Sequence, residues 1–341
     1  MDEVDAAKGR RDRLALLLSL TLFLLLAAMW VALSFATGTF WSSVNIVNLL
    51  RQGAMIAVLA VGETFVIITA GIDLSVGAVT GFASMIVALL LTGSGWLTPL
   101  HLGFLSTIPG AVCATLAIGV LIGLFHGFGI VRMGLPPFIM TLATLNILRG
   151  IGLLITRGAT ISITNDAFTG FSLSSFGSFP FTDGSTFRVP ALFWMVLLVA
   201  VPGYVFLGHT RWGRYLFAIG SNREAARLSG VNTRAITYLA YVLCSFCASF
   251  VGVLLAMRIG IGNPTQAEGW ELQAIASSVI GGTSLFGAVG SVQGPIIGSF
   301  ILTTINNGAN LLNLNSFWQL VITGALIILI VYFDNLRRKK S

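Results

Sequence analysis

Two acidic residues, Glu63 and Asp73, lie within a long apolar stretch of a chain in which only 9% of residues are charged. An ionisable side chain at membrane depth costs free energy and is usually retained for a function. Asp73 lies between Gly71 and Ser75, a position that suits the N-cap of a helix, and we prefer this structural role to a solute contact. Glu63 either pairs with an arginine or lines an aqueous path. No paired carboxylates, His/Cys cluster or nucleophile motif lies at membrane depth, so the pattern favours transport over covalent chemistry.

The elements that position these acids are predicted to be membrane-spanning helices. The sequence is 56% hydrophobic, whereas a soluble domain carries roughly a quarter of charged residues. Long, continuously apolar runs recur along the chain and do not alternate with the period of two that a β-barrel requires. The predicted fold is therefore an all-α polytopic membrane protein.

The net charge of +7 comes from basic residues that collect in particular segments, which is the positive-inside pattern and does not indicate nucleic acid. Both termini and a central loop are therefore predicted to be cytoplasmic. Residues 1–13 and 336–341 would be basic tails flanking one transmembrane domain, residues 14–335. The first apolar run is long enough to be a retained span instead of a cleaved signal peptide.

Apolar runs predict about ten spans, separated by two long loops. The outer loop 157–190 has two possible roles: it is a packed lid or docking surface, or it is a plain connector. The second loop, 209–234, is basic and cytoplasmic. A short match between residues 60–64 and 279–283 suggests an inverted repeat of spans two to five and seven to ten. The Gly/Ser-rich eighth span is the one most suited to be broken or re-entrant. The predicted spans are 14–36, 50–70, 74–92, 102–126, 135–156, 190–208, 235–257, 270–287, 293–313 and 316–333.

The cytoplasmic loop predicts a short helix over residues 222–229. Asn222 or Ser221 is a suitable N-cap residue. Glu224 lies in the first turn, where its negative charge interacts favourably with the helix dipole. Gly230 is suited to end the helix at its C-terminus. Such a helix is too short to be stable alone. It must dock on its own transmembrane domain or on a cytoplasmic partner.

This loop resembles the coupling loop of ABC importer permeases. Residues 220–232 follow the monosaccharide form Gly-x-Asn-x-x-Ala-Ala-x-x-Ser-Gly-x-Asn, and the longer apolar-proline tail of the broad importer form is missing. Residues 62–79 resemble a signature of ribose-type sugar permeases. The resemblance covers about residues 45–335, with further matching stretches at 137–150, 271–287 and 306–312.

The resemblance implies an ABC importer permease for a monosaccharide in the bacterial cytoplasmic (inner) membrane. It also implies a partner ATPase, an external sugar-binding protein and a second permease copy, with homodimer or heterodimer left open. The residues implied to couple to the ATPase are Ser221, Asn222, Arg223, Glu224, Ala225, Ala226, Arg227, Ser229 and Gly230. Those implied for the signature and gating region are Glu63, Gly71, Asp73, Ser75 and Gly77.

A sugar pathway needs hydrogen-bonding side chains along a wet route, although such residues also bond helix to helix. The candidates are Thr64, Thr69, Thr141, Thr144, Asn146, Asn306, Asn307 and Asn310.

No catalytic or metal role is predicted for this chain. Its lysines, Lys8, Lys339 and Lys340, lie in the tails and in no P-loop context, so ATP and Mg²⁺ would be held by the partner ATPase. His126 and the other histidines are predicted to lie near loops, and their spacing is not that of metal ligands. An ion-coupled secondary transporter of a small polar solute is the first alternative, an integral membrane enzyme is a weaker one, and the sequence leaves the particular sugar open.

Overall fold

A computed structural model describes residues 20–93, 103–180 and 186–338. The predicted tail 1–13, the first residues of the first predicted span, and residues 339–341 of the C-terminal tail lie outside the described residues. The described part is mostly helical and confirms the prediction of an all-α membrane protein.

The long helices account for most of the described chain, and five of them, α2, α4, α5, α7 and α10, are long and apolar enough to cross a membrane. The long and medium helices are α1 (Leu20–Ala36), α2 (Ser43–Ile68), α3 (Val76–Thr92), α4 (Ile108–Val131), α5 (Pro137–Thr156), α7 (Ala191–His209), α10 (Thr233–Ile259), α11 (Trp270–Ile280), α12 (Gln293–Leu311) and α13 (Ser316–Arg338). The short elements are a 3₁₀ turn (Gly103–Ser106), α6 (Asp166–Leu173), α8 (Arg211–Ser221), α9 (Arg223–Leu228), β1 (Ile161–Ser162), β2 (Ser175–Pro180), β3 (Thr186–Pro190) and β4 (Ile261–Gly262).

Polar caps fix where several of these helices begin. The hydroxyls of Ser42 and Thr107 each accept a backbone N–H three residues on, at 3.3 Å, at the starts of α2 and α4. These bonds satisfy donors that the first turn of a helix cannot pair internally. Gly93 and Gly260 end α3 and α10 in the left-handed conformation that glycine adopts without strain.

The eighth predicted span, 270–287, is helical only as far as Ile280. Gly282 has a φ of 91° and donates to the Val279 carbonyl at 2.9 Å, while Thr283 donates to the Ser278 carbonyl at 3.0 Å. This pair of bonds is the Schellman ending of a helix. The helical part of this span therefore ends well before residue 287, because Gly282 turns the chain out of the helix, and this agrees with the broken form that the sequence suggested for it.

The centre of the molecule is formed by α2 and α10, which are largely buried, whereas most side chains of α4, α5 and α7 are at least partly exposed. Glycines let α4 approach α10 closely: a Cβ on Gly123 would lie 2.5 Å from Val242 Cα. The same holds for α2, where a Cβ on Gly62 would lie 2.8 Å from the Cβ of Cys247. Small residues at helix interfaces are the usual means of close packing in membranes.

The described part of the outer loop 157–190 is folded and packed. β2 and β3 form an antiparallel hairpin, and β1 pairs with β4 beyond the end of α10. Phe168 of α6 is buried with residues of α3, α4 and α10. Arg51 near the start of α2 donates to the Ser172 carbonyl at 3.1 Å. This segment is therefore a cap over the helix ends, which corresponds to the packed form that the sequence left open.

Both α3 and α11 are short helices that follow a non-helical segment after a long, buried helix. Their first turns meet, because Gly77 of α3 lies against the Glu271 carboxylate, and a Cβ on Gly77 would lie 2.6 Å from the Ala267 carbonyl oxygen. Interrupted helices of this kind are tolerated at membrane depth when they are buried in protein.

Candidate functional site

The short helix α9 begins where the sequence predicted. Asn222 Oδ1 accepts the backbone N–H groups of Glu224 at 3.0 Å and Ala225 at 2.9 Å, so Asn222 is the N-cap. The helix ends at Leu228, and Gly230 follows with a φ of 82°. The N-cap and the terminating glycine are both confirmed.

One charged pair lies on the surface of α9. Arg227 donates to the Glu224 carboxylate from Nε at 3.0 Å and from Nη2 at 2.6 Å. The hydrogen bonds from Arg227 lower the pKa of Glu224, and the pair lies outside the spans. Both side chains are more than half exposed, so the contribution of this pair to folding is small.

The attachment of α9 to the membrane domain uses one face. Ala226 is buried, and its carbonyl accepts the backbone N–H of Val231 at 3.0 Å. Arg223 Nη2 donates to Thr237 Oγ1 of α10 at 3.2 Å. Ala225 and Leu228 remain exposed on the other face. A helix held on one side in this way leaves its other face exposed.

The preceding helix, α8, contacts the end of α2. Gly220 lies against the Ile68 carbonyl, and a Cβ there would be 2.5 Å from the backbone nitrogen of Ala288. Ala288 in turn donates to the Ile68 carbonyl at 2.9 Å. Asp334 of α13 accepts from Ser284 Oγ at 3.0 Å in the same turn. Displacement of α8 would therefore press on α2, on the turn after α11 and on α13.

The two acids of the signature meet in a fully buried network. Glu63 Oε1 accepts the backbone N–H of Asp73 at 3.0 Å, and Cys244 Sγ donates to Glu63 Oε2 at 3.5 Å. Asp73 Oδ1 accepts from the backbone nitrogen of Ser75 at 2.9 Å and from its hydroxyl at 2.6 Å. Asp73 thus has the capping role that the sequence predicted, because its side chain accepts the backbone N–H two residues on. Ser75, the residue before Val76 of α3, has helical φ and ψ and makes no side-chain cap bond.

His126 completes this network from α4. Its Nδ1 lies 3.6 Å from Asp73 Oδ2, its Nε2 lies 3.4 Å from Ser75 Oγ, and its ring packs on Tyr241 with centroids 5.9 Å apart. Tyr241 also explains Gly71, because a Cβ there would lie 2.5 Å from Tyr241 Oη. The network joins α2, α3, α4 and α10 and is closed to solvent. It is suited to hold a helix junction, and a solute cannot reach it in this conformation.

The threonines among the pathway candidates bond to backbone carbonyls close by in sequence. Thr64 Oγ1 donates to the Ala60 carbonyl at 2.7 Å and Thr69 Oγ1 to the Val66 carbonyl at 2.7 Å. The buried Thr141 and Thr144 donate similarly within α5.

The asparagine candidates divide into two groups. Asn307 Nδ2 donates to Asn45 Oδ1 of α2 at 2.6 Å, and Asn310 Oδ1 accepts from Gln319 Nε2 at 2.6 Å, while Asn306 is half-buried. These residues lie on α12, which packs on α2 and α11, whereas α5 packs on α3 and α4. Asn146 is exposed in the middle of α5. The structure therefore does not gather the eight candidates into one site.

Comparison with known proteins settles the family. Residues 45–331 match the family described as branched-chain amino acid transport system, permease component. The chain belongs to this permease family. It is 38% identical to the ribose import permease protein of Bacillus subtilis (strain 168), covering 94% of this chain and 92% of that protein. It is 37% identical to the ribose import permease protein of Escherichia coli (strain K12), covering 87% of each chain.

A third relative is named for a different sugar. The permease is 33% identical to the xylose transport system permease protein of Escherichia coli (strain K12), covering 95% of this chain and 94% of that protein. The matches extend over nearly the whole chain, so they include α9 and the buried network as well as the spans. The sequence resemblance to sugar permeases is confirmed, and the permease is a multi-pass membrane protein.

Sequence reasoning missed two features of the permease. His126 was placed near a loop, but α4 continues to Val131 and buries it. Glycines on both sides, Gly123 and Gly127, are the signal that could have indicated a close helix contact there. The second feature is an ion pair between Arg149 Nη1 and Glu268 Oε1 at 3.3 Å, which joins α5 to the segment before α11. Spacing along the sequence does not indicate a pair whose two residues are 119 positions apart.

No group of three His, Cys, Asp or Glu side chains in the described ranges is arranged to bind a metal ion. Cys244 and Cys247, which have a C-x-x-C spacing, are free and buried.

Proposed function

We propose that this permease is the membrane-spanning subunit of an ATP-driven importer of a monosaccharide in a bacterial cytoplasmic membrane. The observation that carries the proposal is α9, a capped helix anchored through Ala226 and Arg223 with its other face exposed. The substrate class rests on the relatives, whose names state import of ribose and transport of xylose.

The ATP is bound by a partner. The sequence contains no G-x-x-x-x-G-K-[ST] motif, so a separate ATPase subunit supplies the nucleotide and Mg²⁺ sites. Residues 221–230 form the surface that engages this ATPase. The permease makes and breaks no covalent bond and contributes alternating access.

The proposed topology has ten spans with both tails in the cytoplasm. Every predicted span overlaps a described helix. The contact of α8 with the end of α2 agrees with this topology, because it brings the basic loop 209–234 to the end of a span predicted to reach the cytoplasm.

The helix contacts support an inverted repeat of α2–α5 and α10–α13. α2 packs on α11 and α12, and α10 packs in the same way on α3 and α4, while α2 and α10 pack on each other. The contacts of α11 with α12 and α13 correspond likewise to those of α3 with α4 and α5. The short sequence match is not the basis of this symmetry, because residues 60–64 lie inside α2 and residues 279–283 lie at the end of α11.

Two further partners belong to the proposal. A second permease copy forms the pathway together with this one, and the exposed apolar faces of α4, α5 and α7 supply area for it as well as for lipid. An external sugar-binding protein docks on the folded cap formed by α6, β2 and β3, where Leu173 and Phe176 are exposed.

The contacts define a route by which a movement of the ATPases would reach the membrane domain. When the ATPases close, α9 would move Thr237 and hence α10, and α8 would move the end of α2. One turn beyond Thr237, Tyr241 packs on His126 and so reaches the Glu63–Asp73 network. The permease would thereby shift between two states, biased by the differential affinity of its partners for each.

The test is uptake into vesicles that contain the purified permease and its co-purifying ATPase, with the sugar-binding protein outside. We expect uptake of ribose or xylose that requires ATP. Leu228→Asp on the exposed face of α9 should remove the ATPase during purification. Leu173→Asp is the matched control. Leu228 on α9 is 74% exposed and Leu173 on the outer cap is 73% exposed, so the two changes differ mainly in their location.

The ion-coupled alternative makes the opposite prediction. Uptake by the permease alone, driven by a proton or sodium gradient and abolished by an ionophore, would overturn the proposal. The buried acids Glu63 and Asp73 would then be the ion-coupling groups.

A further inference from the structure

We propose that Glu268 and Asn146 line the water-filled pathway and contact sugar hydroxyl groups, with Arg149 holding Glu268 in position. This inference rests on the proposed function and adds a solute-contact site to it. It also selects Asn146, which is exposed in the middle of α5 and donates to the Leu142 carbonyl of the same helix at 3.0 Å.

Asn146 and Arg149 lie deep within α5. Asn146 is nine residues after the start of this helix and ten before its end, which places it roughly 14 Å from one end and about 15 Å from the other. Arg149 is one turn further along. α5 is long and apolar enough to span a membrane, so both residues lie well inside the hydrocarbon layer.

Glu268 shares this depth because it is bound to Arg149. The pair is 3.3 Å apart, and the Glu268 side chain is 69% exposed whereas that of Arg149 is 22% exposed. A carboxylate exposed to hydrocarbon at this depth would cost several kcal/mol, and such residues face a water-filled cavity or the protein interior. Because Glu268 is exposed in the single subunit, a water-filled cavity is the environment that suits its charge.

The backbone that carries Glu268 is held firmly. Pro264 packs on Gly152 of α5, and Gln266 Oε1 accepts from Ser84 Oγ of α3 at 3.0 Å. Asn263 Nδ2 donates to Thr160 Oγ1 at 3.1 Å. The segment is therefore a fixed wall between α3 and α5, and its exposed carboxylate has a defined position.

Arg149 acts as a positioning residue. Its Nη1 pairs with Glu268, while Nε and Nη2 are buried and make no hydrogen bond to any described residue. The guanidinium favours the ionised carboxylate and limits its rotamers. Its remaining donors become available to a hydroxyl group if the side chain moves outward during the transport cycle.

The chemistry of this wall suits a neutral polyhydroxylated ligand. The Glu268 carboxylate accepts hydrogen bonds from hydroxyl groups, and the Asn146 amide both donates and accepts. A carboxylate in the path disfavours anionic solutes, including phosphorylated sugars.

The first test measures water access without relying on transport. In a Cys113→Ser background, Asn146→Cys and Glu268→Cys are treated with a membrane-impermeant, charged thiol reagent in assembled complexes. Leu198→Cys is the control, because Leu198 is 61% exposed in the middle of α7. Labelling of the two pathway positions should be about tenfold faster or more, because reactive thiolate forms in water and not in lipid. Added sugar should slow it.

The second test measures the role of the charge. Glu268→Gln should lower ATP-driven sugar uptake about tenfold, the loss of a charged hydrogen bond, while ATPase co-purification and thermal stability are unchanged. Glu268→Asp should restore part of the uptake. Arg149→Gln should resemble Glu268→Gln, whereas Leu198→Ala should have no effect.

The outcomes separate the two proposals. If the wild-type permease imports sugar but the cysteine at 268 reacts no faster than the one at 198, or Glu268→Gln transports normally, the inference is overturned and the proposed function stands. If ATP drives no uptake by the wild-type complex, the proposed function fails, and the labelling rates still report whether this wall borders water.

Discussion

Arg223 of α9 donates from Nη2 to Thr237 Oγ1 of α10 at 3.2 Å, and Thr237 donates to the Thr233 carbonyl of its own helix at 2.8 Å. One surface helix is thus tied to one of the two most buried spans by a single side-chain bond. Tyr241, one turn further into the membrane, packs on His126. The contact connects the exposed helix α9 to the buried network through α10.

Arg223→Ala is predicted to weaken coupling without preventing assembly. Loss of a partly exposed hydrogen bond from a charged group costs about 1 kcal/mol, so sugar imported per ATP hydrolysed should fall about fivefold. The measurement compares uptake with phosphate release in the same vesicles. Arg234→Ala is the matched control, because Arg234 is exposed in the first turn of α10 and lies outside residues 221–230. Equal coupling ratios in the two variants would show that the Thr237 bond transmits nothing.

Replacement of Asp73 should distinguish its hydrogen-bonding role from its charge. Asp73→Ala leaves the N–H and hydroxyl of Ser75 buried without their acceptor, a loss of about 1–3 kcal/mol per group. Asp73→Asn retains an acceptor oxygen and should be much less harmful. Thermal unfolding in detergent measures both, with the exposed Asp166→Ala as the control. If Asp73→Asn and Asp73→Ala lower the unfolding midpoint equally, the stabilising feature is the negative charge of Asp73 beside His126 and not its hydrogen bonds.

Local signals were read correctly from the sequence, and long-range ones were not. Asn222 and Gly230 act on their own helix, so residue type and spacing were enough to place both ends of α9. The cap that Asp73 forms is likewise local, but the bond from its N–H to Glu63 of α2 was not indicated by the sequence. The contacts of His126 with Asp73 and of Arg149 with Glu268 depend on how distant helices pack, which propensity and periodicity do not encode.

Glu224 should stay ionised over the pH range in which the transporter works. Its hydrogen bonds with Arg227 lower the pKa of Glu224 below its ordinary value. A group whose folded pKa is lowered contributes stability above its unfolded pKa, and this contribution is lost as pH falls through the folded pKa. Binding of the ATPase to the permease should therefore be insensitive to Glu224 titration between about pH 8 and about pH 5.

The Arg227→Ala variant supplies the comparison for Glu224. Without the two bonds from Arg227, the pKa of Glu224 should rise toward its ordinary value, and NMR of labelled glutamate carboxyl carbons follows it directly. An unchanged titration in the variant would contradict the pairing on α9.

Gly123 and Gly150 provide a matched test of the α4–α10 contact. Both are helical glycines in apolar spans, but a Cβ on Gly123 would lie 2.5 Å from Val242 Cα, whereas nothing lies within 4 Å of a Cβ on Gly150. Backbone cannot rotate away as a side chain does, so Gly123→Ala should destabilise the permease by about 1–3 kcal/mol through overpacking. Gly150→Ala should be neutral or slightly stabilising, because alanine favours the helix. Thermal unfolding of both variants in one detergent decides the matter, and equal midpoints would mean that α4 does not approach α10 this closely.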